Sequence, residues 1–157
     1  TRKFTLITQN VDGLHQKAGS NNVAELHGNI MREICFQCRK PPNITLNIMS
    51  ECEIPKCPIC GGFYRPDVVW FGEQLPRKAL YLAINAAEKC DLFLSVGTSA
   101  VVQPAASLPI LAKQNNALLI EVNLTITPLT PIVDHTLTGP SSRILPALID
   151  KVWEIKY

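Results

Sequence analysis

The chain of 157 residues is 46% hydrophobic and 18% charged, a globular composition long enough for one main core and too short for two full-sized domains. A net charge of +2, with no stripe of Lys and Arg to track phosphates, argues against nucleic acid as a direct partner. No apolar stretch reaches the roughly 18–20 residues of a membrane span, so no membrane association is expected.

The first apolar run, Lys3 to Thr8 (KFTLIT), reads as a buried strand that stops abruptly at Gln9, Asn10, Asp12 and His15. Further on, His27 stands in "ELHG", ahead of a glycine that lets backbone or ligand approach closely. Taken alone, His27 has two readings: a satisfied structural imidazole, or a general base beside a ribose near neutral pH. His15 and His135 lack comparable company and are read as structural.

Residues 30 to 70 carry five of the six cysteines and no helical stripe, and read as a small module inserted into the sheet domain. Cys35-x-x-Cys38 and Cys57-x-x-Cys60 flank residues 39 to 56, the spacing of a four-cysteine zinc site built on two tight turns. The competing reading is a disulfide pair or redox CxxC. Four thiolates close the coordination shell, so one zinc per chain is expected to hold structure and do no chemistry. Cys52 is read as a spare, and Cys90 as a small core residue.

After this module, Arg77 to Lys89 places Leu80, Ala83, Ile84 and Ala87 at helical spacing. A buried strand follows at Asp91 to Val96, then a helix within "QPAASLPILAKQNN" that Pro109 kinks or delays, then a buried strand at Ala117 to Val122. A Pro- and Thr-rich loop leads to a short strand at Val133 to Leu137 and a C-terminal helix, with Pro146 expected in its first turn. Strands alternating with helices imply an α/β fold with a doubly wound parallel sheet, because parallel neighbours need crossover connections. The sheet domain is expected over 1–29 and 71–157, with 30–70 as the zinc-binding module.

In such a sheet the ligand crevice lies outside the carboxyl ends of the strands. Gln9, Asn10 and Asp12 follow the first strand, Gly97, Thr98 and Ser99 the second, and Asn123 the third. Their convergence would suit a nucleotide, although each cluster alone is also ordinary turn chemistry. The G-x-G-x-x-G dinucleotide fingerprint is absent.

Taken together, "TQNVDGLHQKAG", "ELHG", the two CxxC pairs, "RPDVVWFGE", "VGTS" with "VVQP", and "GP" before a final helix closely resemble the sirtuins, NAD-dependent protein-lysine deacylases. The resemblance runs in order through essentially the whole chain. It implies a Rossmann-like large domain, a small zinc-ribbon domain, and a cleft between them for NAD and acylated-lysine protein substrates. It matches His27 to the catalytic base, and Gln9, Asn10 and Asp12 to the nicotinamide and ribose pocket, with Asn10 also taking part in catalysis. Gly97, Thr98 and Ser99 match an NAD-binding loop, Asn123 an adenosine-ribose contact, and Ser141 a further NAD contact. Val69, Trp70, Phe71 and Gly72 match the segment along which substrate peptide lies as an added strand. Trp70 is similar to the branch that includes desuccinylases and bacterial deacylases.

By that resemblance, the acyl oxygen attacks C1′ of the nicotinamide ribose and nicotinamide leaves. His27 then helps a ribose hydroxyl attack, and water completes the release of free lysine and O-acyl-ADP-ribose. The family's Gly-Ala-Gly-x-Ser segment does not occur, so the chain is expected to start inside the domain, with acyl-selectivity residues upstream of Thr1. Two other readings follow: a catalytically inactive zinc-containing remnant acting as a binding module, and ADP-ribosyl transfer to protein. Thiolate zinc chemistry and the lack of a visible signal suggest a cytoplasmic location. The motifs set no oligomeric state.

Overall fold

Strand β1, Leu6–Thr8, occupies the end of the first apolar run in a computed structural model that describes residues 3–42 and 55–153. Cys52 lies outside the described residues. The chain divides into two units, 1–81 and 82–157.

In the first unit, β1 runs parallel to β2 (Val23–Glu25), with Leu6 opposite Val23 and Thr8 opposite Glu25. The crossover that parallel pairing requires contains helix α1, Leu14–Lys17, which Asp12 helps start by accepting the Leu14 N–H at 3.0 Å. Then comes an antiparallel ribbon of β3 (Gly28–Cys35) and β4 (Tyr64–Val68), with an irregularity between Asn29 and Glu33. The sequence reading had no strand at β2, β3 or β4. β2 is too short to show a period, and Pro66 within β4 argues against a strand unless its partner is interrupted, as it is here. Gly28 carries φ +81°, and a Cβ there would lie 1.9 Å from the Asp67 carbonyl oxygen. Only glycine lets β3 and β4 approach this closely beside His27.

The second unit is a parallel sheet of order β5–β6–β7, formed by Leu92–Val96, Leu118–Asn123 and His135–Thr138. Helix α2 (Arg77–Lys89) leads into it with Ala83 and Ala87 fully buried one turn apart. A 3-10 turn at Ala105–Ser107 runs directly into α3 (Leu108–Gln114), whose Pro109 sits in the first turn, where its missing N–H costs little. Helix α3 packs on β5 and β6, and α4 (Ser141–Trp153) on β6.

Three expectations change. The run Asp91 to Val96 is not buried on both faces: Ser95 is buried, whereas Leu92, Leu94 and Val96 on the opposite face stay partly exposed. Because β5 pairs with β6 alone among the described residues, it is an edge strand. Pro146 lies inside α4, because the Arg143 and Ile144 N–H groups reach the Pro140 carbonyl and start the helix earlier. The last strand begins at His135, and the preceding Asp134 meets β6 on both sides, its N–H donating to the Leu119 carbonyl and its carboxylate accepting the Leu119 N–H. Among the described residues, no helix is long and apolar enough to cross a membrane.

Candidate functional site

The polar end of β1 is wired to His27. Thr8, buried, accepts the Asn10 N–H on its hydroxyl at 3.1 Å, and its carbonyl accepts the Leu26 N–H at 2.9 Å. His27 Nδ1 lies 3.1 Å from the Gln9 carbonyl oxygen. A carbonyl can only accept, so Nδ1 carries a proton, and in the neutral ring Nε2 is then the nitrogen with the lone pair, the tautomer a base needs. The His27 carbonyl accepts the Val69 N–H at 3.0 Å, so one residue joins the β1 end to the start of Val69–Gly72. Beyond Val69, half of the Trp70 surface is exposed and Phe71 is fully exposed.

Behind this end lies a polar network. The Glu25 carboxylate accepts from Gln16 (2.6 Å), Asn29 (2.7 Å) and Arg32 (2.5 Å), and Arg32 also reaches Asp67. Burial disfavours the Glu25 charge, but the Asn29, Arg32 and Gln16 hydrogen bonds outweigh it and hold the carboxyl below its ordinary value. Asn29, itself buried, fixes the start of the β3 irregularity by accepting the Met31 N–H at 2.9 Å.

The four cysteines are brought together. The Sγ atoms of Cys35, Cys38, Cys57 and Cys60 all lie within 4.8 Å of one another, with Cys35 to Cys60 at 3.4 Å and Cys38 to Cys57 at 3.7 Å. Sulfurs on a zinc tetrahedron with bonds of about 2.3 Å are about 3.8 Å apart, whereas a disulfide brings them to about 2.05 Å. All four are free thiols, so the disulfide reading fails and the donor set fits one tetrahedral metal. Each CxxC turn closes on a left-handed residue, Arg39 (φ 59°) and Gly61 (φ 74°), whose N–H returns to the first cysteine's carbonyl.

The thiols also divide electrically. Burial disfavours the Cys57 thiolate, yet the Ile59 and Cys60 N–H groups and the Tyr64 hydroxyl draw its pKa down to about 6. The Gly62 N–H favours a Cys60 thiolate, but Cys35, burial, Cys38 and Cys57 together push it up to about 11. A divalent cation is the species that lets all four ionise together.

In the second unit the carboxyl ends of the three strands meet. Gly97 N–H donates to the Val122 carbonyl at 2.9 Å, Asn123 Nδ2 to the Thr98 carbonyl at 2.8 Å, and Gly139 N–H to the Asn123 carbonyl at 2.9 Å. Asn123 therefore sits at the centre, with Thr98 on one side, Gly139 on the other, Ser99 exposed nearby in sequence, and Ser141 opening α4. Below it, Glu121 is buried and accepts from the Thr127 hydroxyl and from Thr130 at 2.6 Å, fixing the loop after β6.

A model of the Sir2 family matches residues 1–104. The chain belongs to the Sir2 family. It is similar to the NAD-dependent protein deacylase of Thermococcus kodakarensis, with 47% identity over 155 residues that cover 96% of this chain and 60% of that protein. The chain thus spans about 60% of the length of this curated relative. Among solved structures it resembles a Sir2 homologue–NAD complex at TM-score 0.87 and 44% identity, covering 96% of this chain and 59% of that one. A Sir2–p53 peptide–NAD+ complex follows at TM-score 0.85 and 34% identity, covering 97% of this chain and 64% of that one. The Rossmann-like Sir2 fold read from the motifs is thereby shown, and the parallel strands, helices and cysteine cluster agree with it.

Sequence reasoning missed the supports of this Sir2 site. Glu25 and Asn29 gave no signal, because isolated polar residues beside a short strand look like surface. Arg65 and Glu73 stand at the two ends of the quoted "RPDVVWFGE", but nothing in the spacing shows that they meet.

Proposed function

We propose that this Sir2 chain belongs to an NAD-dependent protein-lysine deacylase that transfers an acyl group from lysine to ADP-ribose, releasing nicotinamide. The observation that carries this reading is the His27 imidazole, oriented by the Gln9 carbonyl so that Nε2 can accept a proton. In this reading NAD supplies the electrophilic ribose carbon. Gln9, Asn10 and Asp12 line the nicotinamide-ribose pocket, and Asn10 also takes part in catalysis. His27 Nε2 takes a ribose hydroxyl proton.

Gly97, Thr98, Ser99, Asn123 and Ser141 bind the rest of the dinucleotide. Their place at the carboxyl ends of parallel strands, where nucleotides bind in such sheets, supports this. Val69, Trp70, Phe71 and Gly72 receive the acylated-lysine peptide, supported by the exposure of Trp70, Phe71 and Gly72 and by a relative solved with a p53 peptide and NAD+. The boundaries proposed are 1–29 and 71–157 for the NAD-binding domain and 30–70 for the zinc module. Reduced thiolate ligands favour a cytoplasmic setting.

The test is nicotinamide release from NAD in the presence of an acetyl-lysine peptide. His27→Ala should lower turnover by about 10²–10⁴-fold, the usual worth of a general base, with the fold retained. Turnover retained by that variant would sink the role of the imidazole.

A further inference from the structure

Val69–Gly72 and the first CxxC turn meet around one buried guanidinium. Arg65, on β4, keeps only 6% of its side chain exposed. Its Nη2 donates to both Glu73 carboxylate oxygens (2.6 and 2.8 Å) and its Nη1 to the Val68 carbonyl (2.9 Å). Its Cζ lies 4.2 Å from the Trp70 ring centroid and 5.5 Å from that of Phe36, rings that are themselves 5.9 Å apart. Glu73 in turn accepts the Trp70 N–H on Oε2 at 3.0 Å and donates its own N–H to the Trp70 carbonyl at 3.0 Å, closing the turn that presents Phe71 and Gly72.

The other side of this cluster is the metal module. Phe36 directly follows Cys35, and Arg39 directly follows Cys38; Arg39 Nη1 reaches Glu73 Oε1 at 3.6 Å. Glu73 is therefore shared between a buried arginine that stacks on Trp70 and a second arginine on the first cysteine turn. A lysine could not replace Arg65, since it lacks the planar fork that bonds carboxylate and carbonyl while stacking on an aromatic face. Opening the cysteine turn would withdraw Phe36 and Arg39 together and leave the Arg65–Glu73 pair with one wall missing.

We infer that Arg65 and Glu73 are positioning residues that couple the four-cysteine centre to Val69–Gly72, so that metal at the cysteines sets the shape of the segment that receives the peptide. The peptide's identity rests on the deacylase reading; the coupling does not.

A Trp153→Phe background leaves Trp70 as the sole tryptophan, so its emission reports this cluster. In the zinc-loaded parent, chelating the metal should change Trp70 emission in step with zinc release and weaken acetyl-lysine peptide binding. Glu73→Gln and Arg65→Lys should each retain one zinc per chain and the parental circular dichroism, shift Trp70 emission away from that of the zinc-loaded parent, and bind peptide about 10–100-fold more weakly, the worth of a lost charge-assisted hydrogen bond. In turnover, KM for peptide should rise with kcat largely kept. Zinc-loaded variants with parental emission and affinity would overturn the coupling, and so would a parent whose Trp70 emission ignores zinc removal. Should a variant not fold, Arg39→Gln, which removes only the half-exposed arm from the cysteine turn to Glu73, decides in its place: Trp70 emission should shift and peptide binding weaken with zinc retained, and parental values would overturn the coupling. A parent that binds no acyl-lysine peptide refutes the deacylase reading, while the Trp70 emission of the zinc-loaded variants still judges the coupling.

Discussion

Replacing Gly28 with alanine tests how tightly the site is built. The added Cβ would stand 1.9 Å from the Asp67 carbonyl oxygen, 2.9 Å from its carbon and 3.3 Å from Val68 Cα, all backbone atoms that cannot swing aside. A left-handed φ costs a non-glycine residue about 1–2 kcal/mol. Forcing β4 away also strains the Val69 N–H bond to the His27 carbonyl, worth about 1 kcal/mol. The sum is about 2–3 kcal/mol, which at a urea slope of about 2 kcal/mol/M lowers the unfolding midpoint by about 1–1.5 M. Urea unfolding of zinc-loaded protein at 25 °C measures it. A Gly28→Ala midpoint within about 0.2 M of the parent would refute the close approach of β3 and β4 beside His27.

Zinc should measure one per chain, and stripping it or changing Cys38→Ala should unfold the β3–β4 region in circular dichroism, because a structural metal supplies folding free energy; a metal-free protein with an intact fold would reject the structural site. Glu121→Leu strands the Thr127 and Thr130 hydroxyls and should cost about 2–4 kcal/mol in the same urea assay; an unchanged midpoint would show that this buried carboxylate anchors nothing. The Glu25 carboxyl has a folded value below its unfolded one, so its contribution is present above the ordinary value of 4.5 and is lost as pH falls through the lowered folded value. Stability measured between pH 6 and pH 3 should therefore fall less steeply in Glu25→Gln than in the parent, and parallel curves would contradict the network.

The chemistry of this chain was more legible in its sequence than its supports. CxxC turns are local, so Cys35, Cys38, Cys57 and Cys60 declare a metal site by spacing alone. Helix α2 follows the period of Leu80, Ala83, Ile84 and Ala87 to the residue, because one apolar stripe directs the whole element. β2 was invisible, since its three residues form a strand only because Leu6 to Thr8 lie alongside. The β3–β4 ribbon was hidden by Pro66 and by an irregularity that breaks alternation. Position within α4 misled for a similar reason: Pro146 is favoured in a first turn, but the Pro140 carbonyl starts the helix at Ser141. Arg65 and Glu73, eight positions apart, become neighbours only once the turn at Trp70 has formed.

The central claim is acyl transfer from lysine to ADP-ribose. Zinc-loaded protein should be incubated with NAD and a mixture of acetyl-, succinyl- and longer acyl-lysine peptides, and the products resolved by mass spectrometry. The account predicts nicotinamide and O-acyl-ADP-ribose in equal amounts, both lost in His27→Ala. Nicotinamide released with ADP-ribose on a protein acceptor and no acyl transfer would contradict it, whereas no nicotinamide at all from folded, zinc-bound protein would move this chain to the inactive-remnant reading.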